Sequence, residues 1–342
     1  MNLYQIIVGS YGTERDEAIQ LVEYDADKQV FRKKAYIDGV SSPSFLAFEP
    51  NKQILYAVSE EDIGEIICYK MDINIRECIR TETGGSGPCY VHVDSDTDFL
   101  FITNYGSGNI TVHPLDDAGM VSQLSENISL GDESNISHPH MVYPLGRNDL
   151  YFVTDLGQDL LFVFQLDRVD QKLTKKNIFH FKKGTGPRHI AMNISSNIIY
   201  VANEFSSTVS VYRYVHQTNK LQFLQDILTV PNLEQKEGNF CADIHISPFG
   251  EFLYVSNRGR NTIVSYKILE SGLLQRWSEA STVGKWPRNF SVSADGKYLF
   301  IANEHSDSIN VIQVNNDGNL TTLPVHYSMT SPTCILMHEK RI

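Results

Sequence analysis

Ile199-Tyr-Val-Ala-Asn-Glu204 is a short apolar, β-branched and aromatic run that closes on a polar residue and a carboxylate. That composition is expected of a buried strand. The pattern returns as Leu55-Tyr-Ala-Val-Ser-Glu60, Leu100-Phe-Ile-Thr-Asn-Tyr105, Leu150-Tyr-Phe-Val-Thr-Asp155, Leu253-Tyr-Val-Ser-Asn-Arg258 and Leu299-Phe-Ile-Ala-Asn-Glu304. Successive copies lie about 45 to 54 residues apart, the spacing of four-stranded propeller blades.

Working outward, each copy is preceded by a second apolar run, such as Phe45-Leu-Ala-Phe48, His189-Ile-Ala-Met192 or Phe290-Ser-Val-Ser293. Turn residues separate the two, as in Ser247-Pro-Phe-Gly250 and Ser293-Ala-Asp-Gly296, so they read as strands a and b of a tight hairpin. A small polar loop then leads to an alternating strand c, for example Ile110-Thr-Val-His113, Thr208-Val-Ser-Val-Tyr212 or Ser308-Ile-Asn-Val-Ile312. A more polar strand d follows, as in Leu221-Gln-Phe-Leu224.

Six full units leave both ends unassigned, and the ends complete each other. Gln5–Tyr11, Ile19–Tyr24 and Val30–Tyr36 match strands b, c and d, while Thr333–Met337 matches strand a. The expected fold is therefore all-β: a seven-bladed β-propeller with four-stranded blades, spanning residues 1–342 as a single domain. Its ring is closed by the C-terminal strand joining the N-terminal blade, about 1–40 plus 330–340. Such closure removes an exposed sheet edge.

Composition agrees with this and narrows the partners. The 342 residues are 42% hydrophobic and 11% aromatic, enough for a large core. A net charge of -12 argues against nucleic acid and against an anionic membrane surface, both of which call for a basic footprint. The N-terminus has no basic leader, and no run approaches the roughly 20 apolar residues of a spanning helix, so a cytoplasmic location is expected. Five cysteines without C-x-x-C spacing read as reduced packing residues. A homo-oligomer is compatible with the sequence.

Strands a and b are antiparallel, so the start of a and the end of b share one mouth of the ring. Aligned at the start of strand a, the units read Pro43-Ser44, Pro88-Cys89, Pro139-His140, Pro187-Arg188, Pro287-Arg288 and Pro332-Thr333, with Ala242 in the unit that lacks proline. The proline fixes φ and needs no hydrogen bond at a strand start. The residue after it varies, and three of the seven are His140, Arg188 and Arg288. The ends of strand b add Tyr11, Glu60, Tyr105, Asp155, Glu204, Arg258 and Glu304, with His138, His189, Asp243 and His245 alongside.

Carboxylates at strand ends commonly bind loop amides of their own blade. That reading is preferred for Glu60, Asp155 and Glu304, although Asp155 also stands among the candidate substrate contacts. His245 reads as an inter-blade hydrogen-bonding residue. Three arginines at equivalent mouth positions in an acidic protein point instead to anion binding. No G-x-S-x-G, P-loop, H-E-x-x-H or G-x-G-x-x-G motif is present. His138-Pro-His140 has metal-ligand character, but the neighbouring arginines oppose a dication, so neither metal nor organic cofactor is expected.

His138-Pro-His140, Asp155-Leu-Gly-Gln-Asp159, Gly186-Pro-Arg-His189, Asn203-Glu204, Ser256-Asn-Arg258 and Trp286-Pro-Arg-Asn289 come in the order seen in one family. Over essentially its whole length the chain resembles the seven-bladed propeller lactonases, which include bacterial 6-phosphogluconolactonase and fungal carboxy-cis,cis-muconate cyclase. The resemblance implies hydrolysis of a small anionic sugar lactone, with 6-phospho-D-glucono-1,5-lactone leading and carboxymuconate cycloisomerisation as the alternative. It also places the cyclase branch's His, two Arg and Glu on His140, Arg188, Arg258 and Glu204.

For such chemistry a water must be activated, an oxyanion stabilised and a phosphate held. Beside arginines His140 is expected to stay neutral and serve as general base, with Glu204 as the alternative base or an orienting group. Arg188 and Arg258 are the expected oxyanion donors, and Arg288 the phosphate contact. His138, His189, Tyr105, Asp155 and Asp243 complete the expected substrate-binding set. Two further readings are a non-enzymatic interaction platform and a metal-dependent lactonase using Glu60, Asp155, Glu204 and Glu304.

Overall fold

Every repeated segment is a fully or almost fully buried strand. Ile198–Asn203, for instance, is buried at all six positions, and Ile54–Ser59 and Phe99–Asn104 likewise. The computed structural model describes residues 2–338 apart from 73, 74, 95, 97, 133 and 147. Among the described residues the chain forms seven four-stranded sheets, each antiparallel and each with strands in the order a, b, c, d. These are the blades of a seven-bladed β-propeller. Two 3₁₀ turns, Leu233–Lys236 and Glu304–Ser306, are the helical segments among the described residues, and no helix is long and apolar enough to cross a membrane.

Blades one to six begin at Leu46, Pro88, Pro139, Pro187, Phe240 and Pro287. The seventh is built from both ends of the chain: Pro332–Met337 pairs with Leu3–Ser10, which continues into Ile19–Asp25 and Val30–Ile37. Its closing register sets Ile6 against Met337, Val8 against Ile335 and Gly9 against Cys334. Residues 339 and 340 of the expected closing segment lie outside the described residues.

Contacts divide the chain into two compact units. One comprises Met1–Ser10, Ile19–Tyr36 and Gly184–Ile342, the other Tyr11–Ala18 and Ile37–Lys183. Within the first, Tyr200, Ala202, Val209 and Val211 of blade four pack on Cys241, Ile244, Val255, Val264 and Tyr266 of blade five. Each valine or isoleucine of this cluster contributes about 1.5–3 kcal/mol through burial. Buried tyrosines stitch these blades with their hydroxyls: Tyr200 donates to the Gly272 carbonyl at 3.0 Å and Tyr266 to the Leu228 carbonyl at 2.7 Å. In the second unit Tyr56 does the same to Gly119 at 2.7 Å.

Candidate functional site

The start of strand a is irregular in a repeated way. In blades two, three, four and six the register slips immediately after the opening proline, at Pro88/Tyr90, Pro139/Met141, Pro187/His189 and Pro287/Asn289. The residue skipped by the ladder is Cys89, His140, Arg188 or Arg288. A β-bulge leaves its extra residue unpaired and re-aims the side chain, so one local device presents the variable position in each blade. Before the proline the backbone is often left-handed, with φ of 57° at Gly87, 65° at Gly186 and 65° at Trp286.

In the first unit three expected site residues meet. Glu204 follows the last residue of strand b in blade four, and its Oε2 lies 2.7 Å from an Arg258 terminal nitrogen and 3.1 Å from Arg188 Nε. Both arginines are buried, Arg188 at 2% and Arg258 at 5% exposure. Arg188 also donates to the Ala242 carbonyl at 2.7 Å, and Arg258 to the Cys241 carbonyl at 3.1 Å. Two guanidiniums share this carboxylate in a largely buried setting, where positive charge attracts an anion strongly. Burial, reinforced by the Arg258 charge and opposed by Glu204, lowers the Arg188 pKa to about 10, so the group is still cationic at neutral pH.

Arg288, in blade six, pairs with Glu304 at 3.7 Å, and Glu304 in turn meets His305 at 3.2 Å. His189 and Asp243 form a buried pair beside Arg188, with His189 Nδ1 2.7 Å from Asp243 Oδ1. The Asp243 carboxylate also takes His245 Nε2 at 2.9 Å, Asn289 Nδ2 at 2.6 Å and the amides of Ile244 and Phe290. Burial raises its pKa, but His245 and the two histidine hydrogen bonds outweigh that and hold it well below the usual carboxylate range. Burial works against the His245 imidazolium, and Asp243 more than offsets it, raising the His245 pKa.

In the second unit, His138 and His140 flank Tyr105. The His138 ring stacks on Tyr105 at 4.2 Å and 12°, and His140 meets the same ring edge-on at 5.9 Å. His138 Nδ1 lies 2.8 Å from the Tyr105 carbonyl oxygen, an acceptor, so that nitrogen carries the proton. Asp155 is wholly buried, and its carboxylate accepts from Ser137 Oγ, from the amides of His138, Gly157 and Gln158, and from Gln158 Nε2. It clamps the loop that carries His138. Glu60 accepts from the Tyr11 hydroxyl at 2.9 Å. Among the described residues no group of three or more His, Cys, Asp or Glu side chains is arranged to hold a metal ion.

Two contributors escaped the repeat alignment. Trp286 lies against the Arg258 guanidinium, 5.3 Å from its centre, and stacks on His305. Its signal was a bulky aromatic at the pre-proline position that is Gly87 and Gly186 elsewhere. Asn289 bridges Asp243 to the Ile335 amide, and it occupies the place after Arg288 that His189 occupies after Arg188.

A family model described as "Lactonase, 7-bladed beta-propeller" matches residues 5–337. A 6-phosphogluconolactonase of Bacillus subtilis is 28% identical over 351 residues, covering 99% of this chain and 100% of that protein. One from Formosa agariphila is 29% identical over 345 residues, covering 93% and 95%. The solved structure of a periplasmic gluconolactonase from Pseudomonas aeruginosa is similar with a TM-score of 0.90 at 26% identity, covering 98% of this chain and 99% of that one.

Proposed function

Since the chain belongs to the seven-bladed β-propeller lactonase family and is on that ground a lactone hydrolase, we propose that it opens 6-phospho-D-glucono-1,5-lactone to 6-phosphogluconate. The observation that carries this reading is the Glu204 carboxylate bridging two buried arginines. Guanidinium donors fixed in a dry site cost nothing to reorganise when negative charge develops on the lactone carbonyl oxygen. Arg188 and Arg258 are assigned that role. Glu204, committed to both, orients them.

Water adds to the carbonyl carbon, one water proton goes to a base, and the ring oxygen leaves as the new hydroxyl after taking a proton back. His140, the counterpart of Arg188 in the repeat, is the proposed base. Arg288, held to Glu304 by a looser 3.7 Å pair, is the proposed phosphate contact. The reaction so written uses no metal.

A pH-stat assay on fresh lactone with chelator present tests this. His140→Ala, Arg188→Ala and Glu204→Gln are expected to lose about 10²- to 10⁴-fold in rate while remaining folded. Arg288→Ala is expected to lose the preference for the phosphorylated lactone over plain glucono-1,5-lactone. The plain lactone is a second reading, favoured by similarity to the Pseudomonas aeruginosa gluconolactonase. Equal turnover of both lactones would overturn the phosphate assignment, and turnover of a carboxymuconate alone would move the activity to cycloisomerisation. A cytoplasmic location remains part of the proposal, and cell fractionation decides it against the periplasmic placement of that relative.

A further inference from the structure

We propose that Asp243 is a positioning residue for lactone hydrolysis, acting through His189 to hold the Arg188 guanidinium. The proposal rests on the reading of Arg188 as an oxyanion donor.

The fifth blade departs from the others at the start of strand a. Its register jumps from Cys241 opposite Asn257 to Ile244 opposite Val255, so Ala242 and Asp243 together face Ser256. The Asp243 amide closes the bulge by donating to Ser256 Oγ at 3.0 Å. Both bulged residues then serve the same guanidinium. The Ala242 carbonyl takes an Arg188 terminal nitrogen at 2.7 Å, and Asp243 Oδ1 takes His189 Nδ1, whose ring presents Nε2 to that Arg188 nitrogen at 3.4 Å.

The proton positions follow from donor and acceptor chemistry alone. A guanidinium has only donors, and an ionised carboxylate only acceptors. A histidine placed between them must carry its proton on Nδ1 and offer the Nε2 lone pair to Arg188. An imidazolium would aim a second N–H at a cation. Burial and the Arg188 charge push the His189 pKa down to about 4 against the pull of Asp243, which keeps the ring neutral.

Asp243 is itself buried and held from several sides. Its remaining acceptor positions are filled by His245, Asn289 and the amides of Ile244 and Phe290, contributed by blades five and six. A carboxylate so occupied has no place for substrate. What it supplies is a rigid reference that selects one His189 tautomer and, through it, one Arg188 orientation. Misplacing a group that contacts the transition state costs up to about 10²-fold in rate.

The direct test is ¹⁵N NMR of His189 in the wild-type protein at neutral pH. The expected state is Nδ1–H with a bare Nε2; an Nε2–H tautomer or an imidazolium would overturn the proposal. Kinetics supply the second arm. Asp243→Asn, whose amide can turn a donor toward His189, is expected to lower kcat by up to about 10²-fold with little change in KM. His245→Ala removes one of several partners of Asp243 and leaves the His189 contact in place, so it is expected to lower kcat less than Asp243→Asn does. If instead both variants lost activity in step with their stability to urea, Asp243 would be a structural residue only. Should Asp243→Asn fail to fold, the NMR result decides. A wild-type protein inactive on both sugar lactones would refute the proposed substrate reading, whereas the His189 tautomer tests the Asp243 linkage on its own.

Discussion

The guanidinium carbon of Arg258 lies 5.3 Å from the centre of the Trp286 ring, and Trp286 holds that place with a left-handed backbone, φ 65°. For a bulky residue this conformation costs about 1–3 kcal/mol, and such strain persists where the surroundings over-determine it. Here the Trp286 amide donates to Asn261 Oδ1 at 2.8 Å, its carbonyl accepts the Glu204 counterpart Glu304 amide at 3.1 Å, and the ring stacks on His305. A desolvated cation–π contact is worth about 1–2 kcal/mol. Trp286→Leu is therefore expected to lower kcat/KM by about 5- to 30-fold, with Trp286→Phe retaining most of the activity. Unchanged kcat/KM in Trp286→Leu would show that Arg258 is held without the ring.

The Glu204 carboxylate forms ion pairs with both Arg188 and Arg258. Deleting one member of a buried ionic group leaves uncompensated charge and costs about 3–5 kcal/mol. Glu204→Ala should show a loss of that size in urea unfolding. Glu204→Gln keeps the shape and one acceptor oxygen, so it should be the more stable of the two while still losing activity. Equal stability of Glu204→Ala and wild type would mean that water compensates both guanidiniums.

Asp155 accepts hydrogen bonds from a hydroxyl, a side-chain amide and three backbone amides, all in its own blade and the loop before it. Bonds to a charged acceptor are worth about 1.5–3 kcal/mol, and stranding buried donors adds to the cost. Asp155→Ala is expected to destabilise the protein by about 3 kcal/mol or more, read by urea unfolding. A stable Asp155→Ala variant with a raised KM would return Asp155 to the substrate contacts.

Strand b was readable because it is buried along its whole length, so the apolar run itself is the signal. The repeated segments match the observed strands to within a residue, as with Leu299–Glu304 against Tyr298–Asn303. Strand d lies at the far edge of each sheet from strand a and mixes exposed with half-buried positions without a regular alternation. The run at Leu221–Leu224 is therefore only the middle of a nine-residue strand, Lys220–Leu228. Arg188, Arg258 and Glu204 could be named because the blades repeat and their positions stand out where the scaffold is constant. The role of Asp243 could not. It depends on a bulge of the ladder and on partners from blades four to six, His189, His245 and Asn289, whose meeting is a property of packing.

His92, on strand a of the second blade, shows how burial of an imidazole sets pH sensitivity. Its ring lies 6.2 Å from that of Phe101 and 6.3 Å from that of Tyr151, and its Nε2 has no hydrogen-bond partner among the described residues. Burial pushes its pKa down to about 4, with Asp94 opposing. The unfolded chain takes up the proton near pH 6.5 and the folded one only near 4, so the unfolded state binds more protons in between. Stability is thus fully present above about pH 6.5 and falls as the pH drops toward 4. At about 1.4 kcal/mol per pH unit the shift corresponds to at most about 2 kcal/mol by pH 5, and because the His92 ring is only half-buried, solvent reduces its share to about 1 kcal/mol. His189, also near 4, adds a loss of the same sign, whereas His245, whose pKa is raised, contributes stability that persists on the acid side. His92→Phe, which keeps an aromatic ring against Phe101 and Tyr151, is expected to reduce the drop in urea-unfolding free energy between pH 7 and pH 5 by about 1 kcal/mol without abolishing it. If variant and wild type lose the same stability over that interval, the acid sensitivity has its source in other groups.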